Sequence, residues 1–242
     1  MSDLVHSIHE RYLQTLDKIA SAARESGRTP ESIRLVVVTK SQPMDVVEAA
    51  IEAGVKILGE NYPEEGVRKI QFIAEKFAVE WHMIGHVQGR KAGLVAQHFN
   101  LLHSLDSLKL AQRLDRFCAN AGRTLPVLLE FNVGGEESKS GWPAWEELHW
   151  PAFSDEISKV LALPHLKVSG LMAMPPLGET AESSRPFFQR MRRLQEYLMK
   201  EYSQATWTEL SMGTSLDYEV AVQEGATLVR VGTAIVGPRS YQ

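Results

Sequence analysis

Eight short apolar runs alternate with helix-patterned segments, and that alternation constrains the fold more than any other feature of this chain. The runs fall at 35–38, 56–58, 81–84, 101–105, 126–132, 168–174, 208–212 and 228–231. Between them, helical patterns are predicted near 43–53, 64–77, 89–97, 107–120, 144–162, 185–202 and 216–224. Strands that alternate with helices build a parallel sheet covered by helices. Eight such units in 242 residues fit a (β/α)8 barrel, whose usual length is about 250 residues. The predicted class is therefore α/β, a single TIM-type barrel over about 34–237 with an extra N-terminal helix over about 4–26. In that helix Val5, Ile8, Tyr12, Leu16, Ile19 and Ala23 recur every three or four residues, and Gly27 ends it. One domain over 1–242 is expected, with no second domain after Gln242. A doubly wound open sheet is the structural alternative. No Gly-x-Gly-x-x-Gly follows the first strand, which weighs against a dinucleotide fold.

Composition narrows the function classes. A net charge of −4, with no dense Lys/Arg stripe, gives no footing for nucleic acid. The single cysteine, Cys118, excludes an intramolecular disulfide and suits a reducing compartment. It falls in a helical pattern, as a packed thiol would. The N-terminus carries no apolar signal core and no stretch approaches a membrane span, so a cytoplasmic protein without membrane contact is expected. A monomer is expected.

The first strand, Leu35-Val36-Val37-Val38, is followed by Thr39 and Lys40. A lysine there either closes the strand in solvent or stands where the core opens into a pocket. In the pocket, desolvation disfavours the ammonium, and a neutral amine is a nucleophile able to hold an aldehyde as a Schiff base. Strand two ends in Gly59-Glu60-Asn61-Tyr62, strand seven in Ser211-Met212-Gly213-Thr214-Ser215, and strand eight in Arg230-Val231-Gly232-Thr233. The loops after strands seven and eight of such barrels frequently hold a phosphate. Ser211 and Thr233 offer hydroxyls, while Gly213 and Gly232 leave the backbone accessible. Each glycine loop alone is equally a plain turn. Together with Lys40 they suit a ligand that carries both a phosphate and an aldehyde, such as pyridoxal 5′-phosphate. Asp217 and Glu219 would repel a phosphate they faced, so they are expected to cap the helix or point outward. Alternation directs Arg230 opposite to Val229 and Val231, either outward under a helix or inward against a ring nitrogen. His82 and His86 have the spacing of a helical metal pair, yet they sit in a strand entering a loop with no third ligand. No metal site is expected, and His86 is a candidate for the pocket wall. The loops at 134–141 and 174–178 follow strands and so belong to the same face.

Seven ordered segments carry a resemblance to a known family: Val38-Thr39-Lys40, Gly59-Glu60-Asn61-Tyr62, the stretch from Trp81 to Gln88, Gly135-Glu136-Glu137-Ser138-Lys139-Ser140-Gly141, Gly170-Leu171-Met172-Ala173-Met174-Pro175-Pro176, Leu210-Ser211-Met212-Gly213 and Val229-Arg230-Val231-Gly232-Thr233. From about residue 4 to Gly237 the chain resembles the pyridoxal phosphate homeostasis proteins. The resemblance implies a barrel of the alanine racemase N-terminal type. It implies Lys40 as the Schiff-base lysine and Arg230 as the partner of the pyridine nitrogen. Asn61 falls near the ring, and Ser211, Gly213, Gly232 and Thr233 fall at the phosphate. It also implies binding, buffering and delivery of the cofactor to pyridoxal-phosphate-dependent apoenzymes, without efficient catalysis. Thr214, Gly89-Arg90 and Pro63 depart from the family pattern and touch loop detail.

An alternative is an enzyme, an amino-acid racemase or decarboxylase using the same Schiff base. A racemase of this fold resembles a barrel joined to a β-domain that supplies the second acid or base, and no such domain is expected here. A third reading is a Schiff-base aldolase or sugar-phosphate isomerase without bound cofactor. Only the cofactor would give a yellow, borohydride-reducible chromophore.

Overall fold

The computed structural model describes residues 2–176 and 178–238. Met1, Leu177 and residues 239–242, parts of the expected 1–242 domain and of the 174–178 loop, lie outside the described residues. Eight parallel strands close on themselves: β1 (Arg34–Val38), β2 (Ile57–Glu60), β3 (Glu80–Met83), β4 (Leu101–Leu105), β5 (Leu125–Asn132), β7 (Leu166–Met172), β8 (Glu209–Ser211) and β9 (Leu228–Val231). β1 pairs with β2 and β9, and the β4–β5 pairing completes the ring. The expected eight runs are these eight strands. The two-residue β6 (Trp142–Pro143), which the sequence reading did not anticipate, pairs with the end of β5 outside the ring.

The helices are α1 (Asp3–Glu25), α2 (Met44–Glu52), α3 (Pro63–Ile73), α4 (Ala92–His98), α5 (Leu108–Asn120), α6 (Ser154–Leu161), α7 (Arg185–Glu201), α8 (Tyr218–Gln223) and α9 (Thr233–Val236). The helix expected over 144–162 is instead a 3₁₀ segment, Glu147–Phe153, followed by α6. Pro151 inside that segment removes a backbone donor and obstructs a regular helix. Pro63 is the first residue of α3, where its missing N–H has no helical partner to lose. Buried Cys118 packs in α5. Among the described residues no helix is long and apolar enough to cross a membrane.

Alternation along the strands separates two apolar regions. Val36, Ile57, Leu101, Leu128, Met172 and Leu228 form one cluster, in the barrel interior. Their strand neighbours, such as Leu35, Val37, Leu58, Leu129, Val229 and Val231, join the larger core under the helices. The same parity puts His82, His103, Glu130, Ser211 and Arg230 on the inner face, because each stands two residues from, or in register with, an inward apolar neighbour. At roughly 1.5–3 kcal/mol per buried aliphatic side chain, the outer shell supplies most of the stabilisation, and the interior can carry polar groups.

Candidate functional site

A cavity of about 350 Å³ opens at the C-terminal ends of the strands. Its wall includes Val38 at the end of β1 and Lys40 after it, Asn61 after β2, His86 after β3, Glu130 of β5, Met172 and Met174, Thr214 and Ser215 after β8, and Arg230, Gly232 and Thr233. Five of the seven expected site residues therefore meet in one place: Lys40, Asn61, Arg230, Gly232 and Thr233.

β1 ends at Val38, two residues before Lys40. Thr39 continues the alternation outward, where its Oγ1 donates to Glu60 Oε1 at 2.7 Å. Lys69 of α3 donates to the Thr39 carbonyl at 2.7 Å, to Glu60 Oε1 at 2.9 Å and to Glu65 Oε1 at 2.6 Å. Glu65 Oε1 also accepts the Ser41 N–H at 2.7 Å, and Ser41 has φ +58°, the left-handed region that disfavours side chains. Burial raises the Glu60 carboxyl and the Lys69 charge opposes that rise. This buried cluster clamps the backbone on both sides of Lys40, so Lys40 points in phase with Val36 and Val38, into the cavity. No part of the clamp was read from the sequence.

Arg230 is 4% exposed and lies inside the barrel, which excludes the outward alternative. Its Nη1 donates to Ser211 Oγ, and its Nη2 donates to the Ala173 carbonyl at 3.0 Å and to Met174 Sδ at 2.9 Å. Burial pushes its pKa down to about 10, so it stays charged at neutral pH.

Ser211 and Gly213 fall elsewhere than expected. The Ser211 hydroxyl is wholly buried between Arg230 and His103, so its place is beneath the site and not on the cavity wall. The strand parity that turns Arg230 inward turns Ser211 inward as well. Gly213 has φ +87°, and a Cβ there would meet Ala221 Cβ at 2.5 Å and Tyr218 Cα at 2.9 Å. Its glycine is required by the β8–α8 turn. Beside it, Thr214 and Ser215 line the wall. Asp217 is the N-cap residue of α8, but its side chain makes no bond to the helix and turns back into the loop instead, its Oδ1 accepting from the Thr214 N–H at 2.7 Å. Glu219 points outward toward Lys18.

Glu130 was missed, although a lone carboxylate inside an apolar strand run was the available signal. Its Oε2 is buried without a hydrogen-bond partner among the described residues, as is Asn61 Oδ1. Burial, aided by Asp106, pushes the Glu130 carboxyl from its ordinary 4.5 up to about 7. The folded state therefore holds this proton more tightly than the unfolded chain. Stability is lost as pH rises from about 4.5 to about 7, and the loss is complete above that. Glu130→Gln is expected to match the wild type near pH 4.5 and to exceed it at pH 8 by at most about 3 kcal/mol, read by urea unfolding at both pH values. An equal difference at the two pH values would refute the perturbed carboxyl.

His82 and His86 do not share a site. His82 is inside the barrel against His103, whereas His86 is on the rim with Asp106 at 2.9 Å. From the 134–141 loop, Ser138, Lys139 and Ser140 reach the cavity wall.

The residues around the cavity suit a phosphorylated pyridine aldehyde. The orphaned Asn61 and Glu130 oxygens call for donors from a ligand, and Lys40 and Arg230 face the same space. Across known proteins, the family model for the alanine racemase N-terminal domain matches residues 13–240. The pyridoxal phosphate homeostasis protein of Vibrio alginolyticus is 38% identical over 236 residues, covering 94% of this chain and 97% of that protein. PipY of Synechococcus elongatus PCC7942, solved with PLP bound, superposes with a TM-score of 0.77 at 33% identity, over 90% of this chain and all of PipY. Alanine racemase of Clostridium difficile 630 shares the fold, with a TM-score of 0.68 at 14% identity over 95% of this chain and 56% of that enzyme. With its barrel, its inward arginine and full-length relatives of this kind, the chain belongs to the pyridoxal phosphate homeostasis protein family, built on the alanine racemase N-terminal domain.

Proposed function

We propose that the chain binds pyridoxal 5′-phosphate through a Schiff base on Lys40 and serves vitamin B6 homeostasis as a carrier and buffer. The observation that carries this reading is the convergence of Lys40, Asn61, Arg230 and Thr233 from the ends of β1, β2 and β9 on one cavity. When bound, the cofactor supplies an aldehyde for the lysine and an electron-withdrawing ring. Lys40 holds the aldehyde carbon and Arg230 faces the ring nitrogen. Asn61 lies beside the ring. Thr214, Ser215, Gly232 and Thr233 hold the phosphate. The first amides of α9 lack helical partners and add donors there. Residues 1–242 act as one cofactor-binding barrel, a cytoplasmic monomer that releases its load to apoenzymes. The test is the absorbance spectrum of the purified protein before and after borohydride. A near-visible band that borohydride abolishes supports the reading, and a colourless protein that stays colourless with added cofactor refutes it.

A Cβ at position 232 would lie 3.1 Å from the Val38 carbonyl oxygen, tight enough to push the end of β9 from β1. Gly232→Val is expected to weaken cofactor binding more than Thr233→Ala, which removes one hydrogen bond to a charged group and costs about tenfold in affinity. Fluorescence titration ranks the two. Full affinity in Gly232→Val would put the phosphate elsewhere.

A further inference from the structure

A row of polar side chains runs through the barrel from the cavity to the opposite end of the strands. Arg230 Nη1 meets Ser211 Oγ. His103 Nδ1 lies 2.7 Å from that oxygen, and His103 Nε2 lies 3.0 Å from His82 Nδ1. His82 Nε2 lies 3.3 Å from Glu80 Oε2, at the start of β3. Ser211, His103 and His82 are buried, whereas Glu80 reaches solvent. Arg34 of β1 completes that end, 4.0 Å from Glu80 and 3.0 Å from Glu209 of β8.

The Glu80 end of the row decides every hydrogen in it. A guanidinium only donates and an ionised carboxylate only accepts. Glu80 therefore takes its hydrogen from His82 Nε2. A neutral His82 then accepts at Nδ1, so His103 must donate from Nε2. His103 in turn accepts at Nδ1, and the Ser211 hydroxyl is its donor. That leaves the Ser211 lone pairs for Arg230. The Arg230 end is compatible with these directions, since Ser211 Oγ accepts from Nη1 while its hydrogen goes to His103. Burial lowers the pKa of both histidines, in keeping with neutral rings.

This polarity has a consequence at the cavity. Without an acceptor at His103, the Ser211 hydrogen is free to turn toward Arg230 and oppose it, donor against donor. With the acceptor in place, Nη1 is held by Ser211 and Nη2 by Ala173 and Met174, which fixes the plane of the guanidinium. We propose that His82 and His103, each neutral with its hydrogen on Nε2, are positioning residues that hold Arg230 in one orientation through Ser211. The effect on the cofactor rests on the pyridoxal phosphate reading above; the state of the row does not.

Nitrogen-15 NMR of the protein without cofactor at pH 7 tests the row directly. Both histidines should show the neutral Nε2–H pattern, and the Arg230 guanidinium should show slowed rotation with resolved terminal nitrogens. His103→Gln keeps the direction, since its amide oxygen accepts from Ser211 and its amide nitrogen donates to His82. It should keep the Arg230 signals and bind pyridoxal 5′-phosphate within about twofold of wild type. His103→Leu removes the acceptor; it should lose the resolved signals, bind about tenfold more weakly and shift the absorbance maximum of the bound cofactor. Ser211→Ala gives the same readout should the leucine variant fail to fold. A charged histidine, an Nδ1 hydrogen on either ring, or unchanged Arg230 signals and affinity in the Leu or Ala variant would overturn the proposal. A wild-type protein that takes up no cofactor refutes the proposed function, while the NMR signals still decide the row.

Discussion

Borohydride reduction of the protein loaded with pyridoxal 5′-phosphate is expected to leave a pyridoxyl group on Lys40, and Lys40→Ala is expected to abolish that label. The expectation follows from backbone geometry. Lys40 continues the inward parity of Val36 and Val38, and the peptide units flanking it are tied to a buried ion cluster by the Thr39 carbonyl and the Ser41 N–H. A side chain launched from a backbone this constrained spends less entropy on reaching a fixed aldehyde. Lys139 is the informative competitor, because it lines the same cavity. Lys91 is not in that wall and is paired with Glu64 at 2.6 Å. Peptide mass mapping after reduction separates the three. A label on Lys139 or Lys91 in the wild type, or an undiminished label in Lys40→Ala, would refute the assignment.

Much of the barrel was legible because its signal is local. Each strand is an apolar run of a few residues, and parity alone set Arg230 against Val229 and Val231. The parts that escaped depend on pairings distant in sequence. Lys69 looks like an ordinary helix lysine until α3 packs behind β1 and brings it to Thr39 and Glu60. His103 carries no motif, and its meaning appears only when β4 stands beside β3 and across from β8. Ser211 was assigned to the phosphate because it ends a strand, yet end position does not tell inward from upward. Its hydroxyl serves Arg230 below the cavity while Thr214 and Ser215, one turn on, reach the wall. Glu130 was readable in principle by the argument applied to Arg230, since both are single charges within apolar strands.

The loaded protein is expected to turn over amino acids far more slowly than an enzyme using the same cofactor. Racemisation and decarboxylation are aided by a ring that draws electrons strongly, which a protonated ring nitrogen does best. Arg230 is pinned by three acceptors and keeps its charge at neutral pH, even with burial pushing its pKa down to about 10. A cation beside the ring nitrogen, where the proposed binding mode puts it, disfavours a proton on that nitrogen. Racemisation also needs acid and base groups on both faces of the substrate carbon. In the proposed binding mode Lys40 would serve one face. Of the other titratable groups on the wall, Lys139 stands 4.0 Å from Glu136, His86 is tied to Asp106 at 2.9 Å, and Glu130 lies on the inner face of β5 within electrostatic reach of Arg230. Incubation of the loaded protein with each L-amino acid in deuterium oxide should give α-proton exchange well below about 1 per second, the lower end of ordinary enzyme turnover. D-isomers should accumulate no faster. Exchange between about 1 and 1000 per second on any amino acid would replace the carrier reading with a catalytic one. Reactivation of a pyridoxal-phosphate-dependent apoenzyme by the loaded protein, faster than by Lys40→Ala carrying the same amount of cofactor, would show what the covalent bond contributes to delivery.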